Sequence, residues 1–130
     1  MKKILVIFVF LGLYFGVNSN MNAQSCDILY FCVKYDGGEK DCSDRFYAGS
    51  LTVMAKLANE IYYEKVYVQL DKYEPRTGEF KYYDDYEFTT DPDMTYIFFP
   101  GINFKDRGFY RVFLLNPNKE TITSALIEII

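Results

Sequence analysis

The chain has 130 residues, half of them hydrophobic and 19% aromatic, with a formal charge of −4, no Trp and no His. Without imidazole it lacks the commonest general base and a common metal ligand, and its acidic balance disfavours phosphate backbones and anionic lipid as partners. Its few thiols have no imidazole to activate them, and its glycines form no spaced phosphate cradle ahead of a helix, so neither catalysis, a cofactor nor a metal is expected.

Met1 to Val17 opens with Lys2 and Lys3, continues uncharged from Ile4, and turns polar at Asn18-Ser19-Asn20. The apolar run is shorter than the roughly 20 residues of a membrane-spanning helix, so residues 1–24 are expected to be a secretory signal peptide that is removed. Ser19 and Ala23 both suit the position before the cut. Residues 25–130 then form one domain, in which the loss of Lys2 and Lys3 leaves 12 basic against 18 acidic residues, a net of −6. Ala23-Gln24-Ser25-Cys26 resembles the lipoprotein box, whose Cys becomes a lipidated first residue, although Gln24 departs from the usual small or aliphatic residue. That resemblance implies an outer-membrane anchor at Cys26 as the alternative to a secreted or periplasmic protein.

No long segment has helical periodicity, while alternation and β-branched or aromatic residues recur, so an all-β domain of about seven strands is predicted. Asp27 to Tyr35 places Leu29, Phe31, Val33 and Tyr35 on one face, and Asp36-Gly37-Gly38 reads as a three-residue hairpin loop. Such a loop sets Cys32 opposite Cys42, which favours that disulfide over Cys26–Cys42. Ser50 to Leu57 turns Leu51, Val53 and Ala55 inward. Ala58 to Glu64 reads as a loop, and Lys65 to Tyr73 follows with Val66, Val68 and Leu70 inward and Tyr67 outward.

Glu74 to Gly78 is a turn, after which Phe80 to Phe88 reads as an edge strand with Phe80, Tyr82, Asp84, Tyr86 and Phe88 on one side. Lys81, Asp85 and Glu87 take the other side, so Asp84 and Asp85 cannot act as a joint acid and base. Asp91-Pro92-Asp93 reads as a turn, since two carboxylates fall far short of a calcium cage. Met94 to Phe99 is the next strand, ended by Pro100-Gly101. Gly108 to Leu115 and Thr121 to Ile130 close the domain, joined by a tight turn at Asn116-Pro117-Asn118-Lys119.

Asp106-Arg107-Gly108-Phe109-Tyr110-Arg111-Val112, preceded by Ile97, Phe99 and Ile102, resembles the tyrosine corner of immunoglobulin-like and fibronectin III-like sandwiches. The resemblance implies a two-sheet immunoglobulin-like sandwich in which the Tyr110 hydroxyl bonds back to the corner backbone near Asp106, with Gly108 beside it. Val53 and Val112 then occupy the two core Cys places, and the family's core Trp is missing.

If Tyr110, Val112 and Leu114 face the core, Phe109, Arg111, Phe113 and Leu115 face away from it, with Tyr67 on the neighbouring strand. Apolar groups flanking an Arg are what binding surfaces favour. A secreted, non-enzymatic module that binds a protein at the cell envelope or outside the cell is therefore expected. A covering loop or strand would instead make the face a second small core. A carbohydrate-binding module that stacks sugars on Tyr62, Tyr63, Tyr82, Tyr83 and Tyr86 is the alternative. A further one is a stand-alone relative of the C-terminal sorting domains of type IX secretion, whose closing motifs Gly108 to Val112 and Ile127 to Ile130 resemble.

Overall fold

Alternation with a period of two gives each strand one apolar face, and two such faces bury each other in a sandwich. A computed structural model describes residues 26–130, so the leader reading lies outside the described residues. The nine strands are β1 (Ile28–Tyr35), β2 (Glu39–Ser43), β3 (Arg45–Phe46), β4 (Gly49–Lys56), β5 (Lys65–Glu74), β6 (Glu79–Thr89), β7 (Tyr96–Phe104), β8 (Gly108–Leu115) and β9 (Thr121–Ile129). They form a four-stranded sheet in the order β2-β1-β4-β7 and a five-stranded sheet in the order β3-β9-β8-β5-β6. No described helix is long and apolar enough to cross a membrane.

The count exceeds seven because the chain makes a detour between β1 and β4. After Gly37 and Gly38, both at positive φ, it returns as β2. It then crosses to the other sheet, where β3 pairs parallel with the end of β9. Cys32 lies opposite Cys42 in the β1–β2 register, and the two are joined in a disulfide.

The core holds Phe31, Val53, Val68, Leu70, Phe99, Ile102, Phe104, Tyr110, Val112, Leu114 and Ile127, all essentially inaccessible to solvent. Both Val53 and Val112 are among them, so aliphatic packing fills the two places where the resemblance would put a bridge. Tyr110 is held edge-on between Tyr83, at 5.1 Å, and Phe104, at 5.2 Å. Its hydroxyl donates to the Asp106 carbonyl at 2.6 Å. A buried phenol is stable only when its polar end is satisfied, and here the bend before β8 supplies the acceptor.

Two irregular ladders and the end of the first hairpin correct three of the expectations. β7 runs through Pro100 and Gly101 instead of ending there, because the β4–β7 register shifts between Leu51 and Val53 and Gly101 takes a positive φ. An edge strand tolerates a proline at such a point, and the continuation delivers Ile102 and Phe104 to the core. On β6, Leu70 pairs with Asp84 and Asp71 with Tyr82, so Tyr83 is an extra residue. Phe80 and Tyr82 therefore share the outer face with Asp85 and Glu87, while Tyr86 and Phe88 pack against the core with Tyr83. Finally, Val33 is exposed, and Tyr35 stacks on Phe98 of β7 at 4.5 Å. The end of the hairpin thus leans over the outer face of the four-stranded sheet, and Met54 and Thr52 are buried on that face.

Candidate functional site

Two outer faces carry aromatic side chains, and their surroundings differ. On the four-stranded sheet the aromatics are engaged with their own chain. Tyr30 and Tyr96 both donate their hydroxyls to the Glu39 carboxylate. The Lys56 ammonium lies 5.5 Å from the Tyr30 ring and 5.7 Å from the Tyr96 ring. The hydrogen bond from Tyr30, joined by that from Tyr96, holds the Glu39 carboxyl below its usual range. Burial pushes the Tyr30 phenol up, with the Glu39 bond adding to it, and the same carboxylate raises Tyr96. Cys32, Glu39 and Cys42 are the one described group of Cys, Asp and Glu near enough to share an ion, but both sulfurs are spent in the disulfide. This face is partly covered by its own hairpin, with Tyr96 and Phe98 still partly exposed.

The five-stranded sheet is different. Its outer face holds Phe109, Arg111 and Phe113 of β8, with Tyr67, Asp71 and Tyr73 of β5 on one side and Leu126 of β9 on the other. Phe109 is 50% exposed and Leu126 is 51% exposed. The Arg111 guanidinium stands 5.2 Å from the centre of the Phe80 ring, and Tyr73 packs on Phe80 at 5.3 Å. Tyr73, Phe80, Phe109 and Leu126 line a shallow concavity of about 220 Å³ whose walls are entirely apolar. Arg111 is paired across the ladder with Asp71, which sets a charge of each sign beside the apolar group.

Of the residues expected on this face, Phe109 is exposed and Tyr67, Arg111 and Phe113 are half-buried, but Leu115 is not on the surface. It is buried opposite Tyr67, where the β8–β9 register slips between Leu114 and Leu115 and the chain turns. That turn is tied by Asn116, whose side-chain oxygen accepts from the backbone N–H groups of Asn118 and Glu120. It lays Lys119 over the Tyr67 ring at 3.4 Å. The Tyr67 end of the face is therefore capped by a cation, and the open end lies at Phe109. Tyr73, Phe80 and Leu126 were missed as members of the face. Leu126 was legible, because Ile127 and Ile129 point inward and their neighbours must alternate. Phe80 was hidden by the extra residue at Tyr83.

The tyrosines of the sugar reading do not share a surface. Tyr62 and Tyr63 are exposed on the loop before β5, and Tyr82 is exposed on β6. Tyr83 packs against the core and donates to the Asp106 carboxylate at 2.7 Å. Tyr86 also packs there, its hydroxyl accepting from the Asn103 backbone N–H at 3.0 Å. Cys26 is an exposed free thiol two residues before β1. Neither the models of known protein families nor the curated proteins contain a match to this chain.

Proposed function

We propose that this chain is an exported, non-enzymatic interaction module of the immunoglobulin-like kind, which binds a protein partner through the outer face of its five-stranded sheet. The observation that carries the reading is the apolar concavity of Tyr73, Phe80, Phe109 and Leu126, with Arg111 laid against the Phe80 ring. Aromatic side chains and Arg are enriched where proteins bind one another, and apolar side chains left open to water cost free energy that a partner would recover. The bond from Tyr110 to Asp106 supports the immunoglobulin-like assignment. The Cys32–Cys42 bridge supports an oxidising compartment, in line with the leader. An exposed thiol at Cys26 is compatible with the lipid-anchored form.

The experiment is site-specific photo-cross-linking in the producing cell, with benzoylphenylalanine placed at Phe109 or at Phe98, which is 43% exposed on the other sheet. A discrete heavier adduct from position 109, lost when Leu126→Ser is added and absent from position 98, is the expected result. Equal labelling from both positions, or none from 109, would overturn the proposal. Intact mass of the isolated protein, with and without reduction, reports the cut, any lipid and the bridge.

A further inference from the structure

Most of β9 is hydrogen-bonded on one side only. Tyr110, Val112 and Leu114 of β8 pair with Ile127, Ala125 and Thr123. On the opposite side Glu128 donates to the Asp44 carbonyl at 2.9 Å and Ile130 to the Phe46 carbonyl at 2.9 Å, and there the two-residue β3 ends. Groups two residues apart on a strand point the same way, so the N–H and C=O of Ser124 and Leu126 face that same side. Among the described residues no backbone group bonds them there.

Beyond this bare edge lies the seam between the sheets. Leu29, Phe31, Ala125 and Leu126 line a notch of about 440 Å³ that is roofed at one end by Ser43 and Asp44, where the chain crosses between sheets. Leu126 borders both this notch and the concavity that holds Phe109. The edge therefore has on its core side a recess of mixed lining, with Leu29, Phe31 and Ala125 as its apolar wall beside Tyr30 and Cys42, and an apolar surface on its outer side. An acidic group marks each end. Asp44 roofs the notch, and at the other end Thr123 donates its hydroxyl to the Asp27 carbonyl at 3.2 Å, while one oxygen of the Asp27 carboxylate accepts from the Ala58 N–H at 2.9 Å. The ion pairs formed among the described residues are Arg45–Glu128 and Lys119–Asp85, so the carboxylates of Asp27 and Asp44 face no cation.

We propose that the edge of β9 accepts an extended peptide of a partner protein, in line with β3, and that this peptide carries two adjacent apolar residues flanked by Lys or Arg. Backbone bonds to Ser124 and Leu126 supply the affinity. Alternation sends one apolar side chain into the notch and the next onto Leu126 and Phe109. Basic flanks meet Asp27 and Asp44. The inference rests on the reading of the chain as a protein-binding module and gives that binding its chemistry.

The probe is the acetylated and amidated peptide Lys-Thr-Val-Leu-Thr-Lys, followed by amide hydrogen exchange on the whole described domain. Exchange at Ser124 and Leu126 should slow tenfold or more, and a peptide with Pro at its centre should protect neither amide. Ser124→Pro, which removes an N–H from the free edge and none from the β8 ladder, should weaken binding at least tenfold. Should that variant fail to fold, Asp44→Lys should weaken it likewise, because it reverses the charge at the notch. Unchanged exchange at both amides under millimolar peptide would overturn the proposal, as would an affinity indifferent to the substitution made. Protection at the edge without a cross-link from position 109 would retire the outer face and keep the edge.

Discussion

Tyr110 joins two jobs that are usually separate, filling the core with its ring and fastening a bend with its hydroxyl. Burial raises the phenol above its ordinary range, which favours the neutral form that donates to the Asp106 carbonyl. Tyr110→Phe keeps the ring and leaves that carbonyl without its partner, which should cost on the order of 1 kcal/mol or more. Urea melts of the two proteins should separate accordingly. Glu39 gives the opposite kind of test, since its carboxyl is held below the ordinary 4.5 by two phenols. A depressed folded-state value means stability that is present above the unfolded value and lost as pH falls through the folded one. The urea midpoint of the parent should therefore exceed that of Glu39→Gln near neutrality, and the two should converge in acid below the usual carboxylate range. Tyr30 has the reverse sign, being raised from 10.0, so Tyr30→Phe should lose its disadvantage as pH climbs above about 10.

At the scale of strands, the hairpin of β1 and β2 and the face around Phe109 make different demands. The disulfide closes a short loop, with the cysteines 10 positions apart, and the chain-entropy account assigns such a loop about 2–3 kcal/mol. Replacing both cysteines by Ser should lower stability by that order, and limited proteolysis should then begin within β2. Leu126→Ser should change the melting midpoint little, because half of that side chain is already in water, yet abolish the adduct formed from position 109. The alternation of Leu51, Val53 and Ala55 or of Val66, Val68 and Leu70 made these strands readable in the sequence, since each face meets one environment throughout. Alternation alone puts β6 in the wrong phase, because one inserted residue, Tyr83, exchanges the two sides without any local mark in composition. Leu115 failed for a related reason, where a slipped ladder and a folded turn cover a residue that simple alternation would expose. The concavity could not be assembled from sequence at all, for it draws Tyr73, Phe80, Phe109 and Leu126 from four strands whose registers fix it.

Taken whole, the molecule is stitched by pairings between remote parts of the chain. Arg45 meets Glu128, Tyr67 meets Leu115, and Gly49 meets Phe104. Proteins dominated by such distant pairings pass through a costly search and fold in milliseconds to seconds, whereas helical bundles of similar size take far less. Stopped-flow refolding of residues 26–130 should place this domain in the slower class. β3 has nothing to pair with until β9 exists, so the link between Arg45 and Glu128 is among the last that synthesis of residues 26–130 makes possible.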